Sequence, residues 1–434
     1  MAAKFNLKAH QHDVPTAFLK GILKEQIWME QPKGYEIGDP KSYKCLLDKC
    51  LYGLKQSPRE FYNLMNEYLI SQGFKRTNMD HCIYYKKENG ESIFVGIYVD
   101  DIISVGKGKA ADKFRQNLME RFGITEGGIL EWYLGMAFDQ STNGSISINQ
   151  NLYIDKKLTD FKKWIGPEHK AFPLPLDYQQ LLEKAETETE IMPGFPYREM
   201  VGSIMYAMTG TRPDLAAAVS VVSKYLDKHT KTHCEMVKHI YQYLKKNNHY
   251  CLYYPSGGAV ILQGFVDSSY ANDVNYQSRG GYCFTVGDCL ISWYSGISKG
   301  TPPQSSAEGE YRAALAAANE CIWLKQILEE LDLKQGCITM HEDNQACIAL
   351  TKNPQDHNRT KHIQMRYHAV RAYADQKEMS FEYIKTEDQK ADIFTKALSG
   401  VKVRNNLAAL NVKRMVESYD MRSNIEGLSL AFDG

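Results

Sequence analysis

The sequence lacks three features that would each have indicated a particular class of protein. Its longest apolar run, LAAAVSVVS at 215–223, is far too short to cross a bilayer, and the first residues show no targeting segment. None of the ten cysteines forms a Cys-x-x-Cys pair, which favours reduced, mostly buried thiols in a cytosolic or nuclear protein. The formal net charge is zero, so a polyanionic partner would need locally segregated basic surfaces.

What the sequence does have is the length and composition for two or three folded domains, with 43% hydrophobic and 24% charged residues. Two breaks divide it. Residues 172–196 carry four prolines and a run of Glu and Thr, which predicts an exposed linker with at most a short helix. Residues 253–259, YYPSGGA, predict a second break. We expect three helices between the breaks and an α/β domain, ending in a helix from Asp388, after the second.

A pair of adjacent aspartates, Asp100 and Asp101, interrupts the β-branched run IYVDDIISVG. Strands disfavour aspartate, and two carboxylates so close repel each other unless a cation offsets them. Residues 92–106 predict a hairpin with the pair at its turn. Asp13, in QHDVPTAFLKG, is predicted on a neighbouring strand of a small antiparallel sheet. Asp13 and Asp100 would then supply the hard oxygen ligands that two Mg²⁺ ions need for phosphoryl transfer, with Asp101 beside them.

A second acidic series lies after residue 259. Its members, in chain order, are Asp267, Glu310, Asp343 and Asp392. We expect them at two strand ends and two helix starts, an arrangement that two-metal hydrolysis of an RNA strand requires. Glu308 competes with Glu310, but residues two apart on a helix point to different faces, so only one of them can join the site. The YRAA that follows Glu310 resembles the spacing found after the corresponding glutamate of ribonucleases H, and this resemblance favours Glu310.

Several long motifs resemble, in order, the reverse transcriptase of Ty1/copia-type retrotransposons: DVPTAFLKG, IWMEQPKGYE, CLLDKCLYGLKQSPREFYN and IYVDDIISVG. The resemblance spans roughly residues 2–400 and continues into the family's ribonuclease H domain through FVDSSY, SSAEGEYRAAL, HEDNQAC and DQKADIFTKAL. It implies an RNA-directed DNA polymerase coupled to hydrolysis of RNA in RNA–DNA hybrids. Each active site would use two Mg²⁺ ions, with Mn²⁺ as an alternative.

The resemblance also implies roles for single residues. Asp13 would be a metal ligand of the polymerase, and Asp100 and Asp101 the aspartates of its YVDD motif. Phe18 would lie under the incoming sugar, and Gln56, in GLKQSP, would line the nucleotide and template pocket. Tyr98 would touch the primer end. Each of these last three also has a plainer interpretation: a core aromatic, a turn before a helix, and a strand residue.

The implied fold is α/β (α+β), with a truncated right-hand polymerase palm, a helical thumb or connection, and a ribonuclease H-like domain with a mixed sheet. The predicted division is palm at 1–171 with the fingers largely missing, linker at 172–196, thumb or connection at 197–257, ribonuclease H domain at 258–400, and tail at 401–434. Because AAKFNLKAH matches the interior of the family domain, Met1 is expected inside a longer reading frame.

The implied substrates are an RNA template, a DNA primer, RNA–DNA hybrid and deoxynucleoside triphosphates. Other Pol-derived or Gag-derived proteins are the expected partners, in cytoplasmic element particles and the nucleus. Two alternatives stay open: a ribonuclease H with a dead polymerase, and a non-catalytic or host-retained remnant that binds nucleic acid. Residues 224–250, six lysines against Asp227 and Glu235 with interleaved tyrosines, and the basic stretch 351–377 are candidate nucleic-acid surfaces. The plainer interpretation of each is a solvated helix face.

Overall fold

A computed structural model of the chain describes residues 1–39, 41–124, 127–270, 276–352 and 368–415. The described residues form a mixed α/β structure with three large sheets and one two-stranded ribbon. Within these ranges, no helix combines the length and the apolar character that crossing a membrane demands.

The N-terminal region is built on an antiparallel sheet. Its elements are α1 Ala2–Phe5, β1 Lys8–Asp13, β2 Trp28–Glu30, β3 Lys44–Leu46, α2 Ser57–Ser71, β4 Lys75–Arg76, β5 Ile83–Glu88, β6 Glu91–Tyr98, β7 Asp101–Gly106, α3 Lys109–Phe122 and β8 Gly127–Ile129. The first sheet has the order β4-β5-β6-β7-β1-β8. Phe61, Met65 and Leu69, one helical turn apart on α2, are buried in its core together with residues of α3. The hairpin predicted at 92–106 is present, formed by the antiparallel pair β6 and β7.

The middle region is mostly helical. Its elements are β9 Trp132–Tyr133, β10 Met136–Gln140, β11 Ile146–Asn149, α4 Asn151–Asp160, α5 Lys162–Ile165, α6 Tyr178–Thr187, α7 Tyr197–Gly210, α8 Ala216–Val222, α9 Lys231–Asn247 and β12 Tyr250–Tyr254. The three helices expected between the two breaks are α7, α8 and α9. They share one apolar core.

The segment 172–196 is not the exposed linker that its prolines predicted. Leu174, Tyr178 and Leu182 are buried in the same core as α7 and α9. These residues are spaced four apart, so they line one face of the short helix α6 and the turn before it. That face gives the segment enough apolar surface to pack against its neighbours instead of remaining in solvent.

The C-terminal region contains a mixed sheet, as expected. Its elements are β13 Leu262–Ser269, β14 Arg279–Val286, β15 Cys289–Ile297, α10 Ser306–Glu330, β16 Ile338–Glu342, α11 Gln345–Lys352, α12 His368–Asp375, β17 Met379–Tyr383, α13 Asp392–Thr395, α14 Gly400–Ala409 and β18 Val412–Arg414. The third sheet has the order β15-β14-β13-β16-β17. Strands β13, β14 and β15 are antiparallel, while β16 pairs in parallel with β13 and β17. The single helix expected from Asp388 is instead a short 3₁₀ turn, Thr386–Asp388, followed by α13 and α14.

The second sheet crosses the predicted domain boundaries. Its order, β18-β12-β11-β10-β9, joins strands from the predicted palm, the predicted connection and the predicted tail. Strand β12 hydrogen-bonds to β11 on one side and to β18 on the other. The chain up to residue 415 is therefore not a loose end, and the regions are tied together by backbone pairing between distant segments.

The first sheet also contacts the C-terminal region through helix α10. Tyr85 and Phe94 of the first sheet form a small buried cluster with Ile327 and Leu331 at the end of α10. At its edge, Asn78 donates backbone and side-chain hydrogen bonds of 2.8 and 2.9 Å to the Glu330 carboxylate. This contact fixes the orientation of α10, which carries one of the candidate acidic residues, relative to the N-terminal region.

Candidate active sites

The first candidate site is the hairpin triad, Asp13, Asp100 and Asp101. Asp13 is the last residue of β1 and lies directly opposite Asp101, the first residue of β7. Asp100 lies in the two-residue turn between β6 and β7, and its carbonyl accepts a hydrogen bond from the Val14 N–H at 3.2 Å. The antiparallel register therefore brings all three acids to one end of the first sheet.

The triad is open to solvent. Asp13 is exposed and the other two are half-buried. Partial burial, followed by the charge of Asp100, raises the pKa of Asp13, and burial with the charges of Asp100 and Asp13 raises the pKa of Asp101. Among the described residues, however, the three do not bring one oxygen each within 4.8 Å of one another, as ligands of a shared ion would.

The turn that carries Asp100 is strained. Val99 has a φ of 56°, in the left-handed region that β-branched residues rarely adopt. Strain of this kind persists where the surrounding structure enforces it, and it is often found at functional sites. Here the pairing of Tyr98 with Asp101 closes the turn so tightly that Val99 must take this conformation.

The other residues implied in nucleotide or primer binding have different surroundings. Tyr98 lies beside the triad and is 57% exposed. Phe18 packs its ring against Tyr52, with centroids 4.8 Å apart, and Gln56 donates a 2.8 Å hydrogen bond to Glu25. Sequence reasoning missed Tyr133 of β9. Burial and the nearby charges of Asp101 and Tyr98 raise the pKa of Tyr133, which places its hydroxyl near the triad.

The second candidate site is the buried cluster, which we define as Asp267, Glu310, Asp343 and Asp392. Asp267, Glu310 and Asp343 each offer one oxygen within 4.8 Å of the others, the one such group found in the described part of the chain. Asp267 is 1% and Glu310 5% exposed, whereas Asp343 is half-buried. The geometry suits a cation held by hard oxygen ligands.

The third sheet explains why these residues meet. Because β13 and β16 are parallel neighbours, Asp267 near the end of β13 and Asp343 just after β16 share one edge of the sheet. Helix α10 packs on β13 at Gly309, where a Cβ atom would come within 3.1 Å of the Ser268 and Ser278 hydroxyl oxygens. Glycine thus allows the helix to approach closely enough for Glu310 to reach the strand-borne acids.

The structure distinguishes the two competing glutamates. Glu308 receives a 2.7 Å hydrogen bond from Arg312 and a 2.8 Å hydrogen bond from the Gln304 N–H. These contacts hold it in the first turn of α10, outside the cluster, while Glu310 faces Asp267 and Asp343.

One buried carboxylate beside the cluster was missed. Glu342, the last residue of β16, is fully buried, and its Oε1 accepts a 2.9 Å hydrogen bond from the Asn344 N–H. Burial, with the charges of Asp267 and Asp343, raises the pKa of Glu342 to about 8. Burial and the charge of Asp267 raise the pKa of Glu310 far above its ordinary range. In the described structure, Oε2 of each glutamate has no hydrogen-bond partner.

The fourth acid, Asp392, reaches the cluster through a lysine that sequence reasoning also missed. Lys396 donates to Asp267 Oδ1 at 3.0 Å and to Asp392 Oδ1 at 2.6 Å, and Thr395 donates to Asp267 Oδ2. Burial and the Asp267 charge raise the pKa of Asp392 to about 6. Burial acts to lower the pKa of Lys396, but the two aspartates outweigh it and raise that pKa. The i, i+4 spacing of Asp392 and Lys396 was the available signal.

A divalent cation would lower the free-energy cost of burying these carboxylates. Oxygens of Glu310 and Glu342 that are buried without hydrogen-bond partners are costly unless a positive charge or a proton offsets them. All the donor atoms are carboxylate oxygens, the ligands that Mg²⁺ and Mn²⁺ prefer.

The candidate nucleic-acid surface at 224–250 is weaker than its composition suggests. Tyr241 and Tyr243 are 1% exposed and belong to the helical core, so their rings are not available for stacking on bases. Lys231 and Lys238 pair with glutamates at 2.7 and 2.9 Å. Helix α9 is buried around most of its surface between Thr232 and Leu244, so tyrosines on different faces of the helix are both enclosed. Most of the second basic stretch, residues 353–367, lies outside the described residues.

Comparisons with known proteins agree with these motifs. The family model for reverse transcriptase (RNA-dependent DNA polymerase) matches residues 1–173. A retrovirus-related Pol polyprotein from transposon TNT 1-94 of Nicotiana tabacum is 38% identical over 92% of this chain and 30% of its own length. The putative transposon Ty5-1 protein YCL074W of Saccharomyces cerevisiae is 30% identical over 70% of this chain and 97% of its own length. The chain thus spans under a third of the tobacco relative.

Among solved structures, the N-terminal RNase H domain of rv2228c from Mycobacterium tuberculosis, determined as a fusion with maltose binding protein, aligns with this chain. The alignment covers 35% of this chain and 99% of that one, with 12% identity and a TM-score of 0.24.

Proposed function

The chain belongs to the Pol family of Ty1/copia-type retrotransposons, and on that premise we propose that it catalyses two phosphoryl-transfer reactions on nucleic acid. The buried cluster hydrolyses the RNA strand of RNA–DNA hybrids. The hairpin triad extends a DNA primer on an RNA template with deoxynucleoside triphosphates. The single observation that carries the proposal is the convergence of Asp267, Glu310 and Asp343, one oxygen each, within 4.8 Å.

In this proposal, each region of the fold corresponds to a part of the enzyme. The first sheet with the triad is the palm of the polymerase, and the helical core around α7 and α9 is its thumb or connection. The third sheet with α10 is the ribonuclease H domain, supported by its mixed strand order and by acids at the shared edge of β13 and β16. The protein would act in the cytoplasmic particle of the element and in the nucleus, with other Pol-derived or Gag-derived proteins as partners.

At the buried cluster, Asp267, Glu310 and Asp343 would hold one ion, and Asp392 would join Asp267 at a second. Bound Mg²⁺ or Mn²⁺ lowers the pKa of an attacking water and offsets the charge that develops on the phosphate. The chain itself fixes the ligands. Thr395 orients the Asp267 carboxylate, and Asn344 holds Glu342 so that the turn presents the half-buried Asp343 toward solvent, where a substrate backbone can approach.

At the hairpin triad, Asp13 and Asp100 would be the ligands and Asp101 would lie beside them. Tyr98 pairs with Asp101 at the same end of the sheet and would face the primer terminus. Positioning supplies much of the rate in phosphoryl transfer, and ligands alone do not position a triphosphate. We therefore expect primer extension by this chain on its own to be feeble.

A second candidate is a ribonuclease H whose polymerase part is inactive. The observation that favours it is the open geometry of the triad, whose oxygens, unlike those of the buried cluster, do not converge within 4.8 Å in the described structure. The non-catalytic binding remnant is less well supported, because a protein that only bound nucleic acid would not need buried carboxylates that repel a phosphate backbone.

The test is cleavage of a labelled RNA–DNA hybrid with Mg²⁺ by the wild type and two matched variants, Glu310→Gln and Glu308→Gln. The two glutamates are two residues apart on α10, but only Glu310 belongs to the cluster. We expect Glu310→Gln to lower the cleavage rate by about a hundredfold or more, since it removes a ligand charge, and Glu308→Gln to retain it.

Hybrid binding, measured in parallel without metal, should be similar in all three proteins. A wild type that binds hybrid but never cuts it would favour the non-catalytic remnant. Loss of cleavage in Glu308→Gln with retention in Glu310→Gln would mean that the wrong glutamate has been assigned.

A further inference from the structure

The two sides of the buried cluster differ in how the negative charges of their carboxylates are neutralised. On one side, the ammonium of Lys396 lies 3.0 Å from Asp267 Oδ1 and 2.6 Å from Asp392 Oδ1. The other Asp267 oxygen accepts the Thr395 hydroxyl. A cation that belongs to the chain therefore bridges the Asp267 and Asp392 carboxylates.

The opposite side is not neutralised in this way. Glu310 Oε2 is buried with no hydrogen-bond partner in the described structure, and Glu310, Asp267 and Asp343 converge within 4.8 Å. Among the described residues, a cation thus bridges Asp267 and Asp392, whereas no Lys or Arg forms an ion pair with Glu310.

We propose that Lys396 is an internal competitor for metal: it occupies the edge between Asp267 and Asp392, and it must leave before a divalent ion can bind both carboxylates. The proposal rests on the metal site of the proposed function and adds the order in which ions bind. The first ion enters at Asp267, Glu310 and Asp343, and the second binds more weakly because it has to displace the ammonium.

The geometry makes such an exchange physically reasonable. A carboxylate oxygen that accepts a short bond from an ammonium cannot at the same time coordinate an ion in that position. Lysine has a flexible four-carbon stem, and the Lys396 side chain is 33% exposed, so its ammonium can move into water without opening the core. Lys396 is accordingly a positioning residue that acts on the ligands and does not touch the substrate.

Two variants of Lys396 distinguish the effect of its charge from the effect of its side-chain shape. Lys396→Met keeps an unbranched stem of similar length and removes the charge, whereas Lys396→Gln is neutral but still donates a hydrogen bond. Lys385→Met is the matched control, because Lys385 lies between β17 and α13, outside the cluster, is 71% exposed and pairs only loosely with Glu387, at 3.8 Å.

The measurement is calorimetric titration of the full chain with Mg²⁺ and with Mn²⁺, in the absence of nucleic acid. We expect the wild type and Lys385→Met to bind one ion more tightly than a second. In Lys396→Met the second ion should bind on the order of tenfold more tightly, since it no longer displaces a charge-assisted hydrogen bond. Lys396→Gln should lie between the two, and it carries the test if the methionine variant does not fold.

Thermal unfolding provides an independent readout. Without metal, Lys396→Met should melt a few degrees below the wild type, because Asp267 and Asp392 lose their counter-charge, and added Mg²⁺ should close that difference. Unchanged affinity for the second ion in both Lys396 variants would overturn the proposal while leaving the metal site intact. If no protein in the series binds an ion, the metal site of the proposed function fails together with it.

Discussion

The hairpin triad and the buried cluster place several carboxylates together in two different ways. Asp13, Asp100 and Asp101 meet at the end of a hairpin, where water reaches them and weakens their repulsion. Asp267 and Glu310 are buried, so water cannot weaken their repulsion. Instead, Lys396 and Thr395 donate hydrogen bonds to the Asp267 carboxylate.

This difference in burial determines what each site would require in order to bind a metal ion. In the buried cluster the ligands already converge, and a cation would relieve a cost that is present in the folded chain. In the triad the repulsion is milder, but the oxygens have to be drawn together by something else, such as the ions with their bound substrate. The buried cluster is therefore preorganised for metal and the triad is not.

The sharpest test of this comparison exchanges one aspartate for asparagine at each site. Asp343→Asn should reduce cleavage of the RNA strand by about a hundredfold or more, because it removes a ligand from the converged group. Asp100→Asn should instead abolish whatever primer extension the wild type shows. Both activities are measured on the same preparations, with a labelled hybrid and with a primer on poly(rA).

Hybrid binding serves as the control, since it should change little in either variant. Robust extension by the wild type, comparable to its cleavage activity, would contradict the contrast between the two sites. Loss of both activities in Asp100→Asn would mean that the sites are not independent.

A second test uses pH in the absence of metal. The folded pKa of Glu342, about 8, lies above its ordinary value of 4.5, so the native state binds more protons than the unfolded state between these values. Its contribution to stability is fully present below pH 4.5 and is lost as the pH rises through about 8. We expect this loss to be on the order of a few kcal/mol in the free energy of unfolding.

Unfolding by urea at pH 6 and pH 8, with a chelator present, measures the effect. Glu342→Gln should reduce the dependence on pH, and saturating Mg²⁺ should reduce it in the wild type. Asp13→Asn, at the solvent-exposed triad, should leave the slope as it is. If Glu342→Gln changed its stability from pH 6 to pH 8 by the same amount as the wild type without metal, the assigned burial of Glu342 would be contradicted.

The smallest expected effect concerns the strained turn of the triad. Val99→Gly should raise the free energy of unfolding by about 0.5–1 kcal/mol, because glycine adopts a positive φ without the clash of a Cβ atom, although it adds entropy to the unfolded chain. Val99→Ala keeps the Cβ atom and should bring no such gain. The urea midpoint at constant m-value is the measurement, and equal stability of the two variants would show that the turn stores no strain.

Local patterns in the sequence were sufficient for several features. The hairpin around Asp100 and the position of Asp13 across from it follow from alternation and turn signals over short stretches. The four acids of the buried cluster were predicted from the motifs in which they occur and from the expectation, based on periodicity, that each lies at or near a strand end or a helix start. The angular spacing of a helix showed that only one of Glu308 and Glu310 could join the site, and the motif resemblance of the YRAA after Glu310 favoured that residue.

Other features were not accessible from local patterns. The burial of segment 172–196 and of the tyrosines on α9 depends on which helices pack together, and proline or lysine content does not reveal that. The second sheet joins strands from segments more than 100 residues apart, and such pairing leaves no local signal.

The sequence by itself determined the family and the mixed α/β class and predicted the acidic residues of the two candidate sites, because motif order and periodicity are properties of the chain. Only the tertiary structure decided that one acidic group is buried and converged while the other is open, and that Lys396 and Glu342 belong with the former. The physical reason is that burial and charge compensation depend on every neighbour in space, whereas a sequence pattern records only the neighbours along the chain.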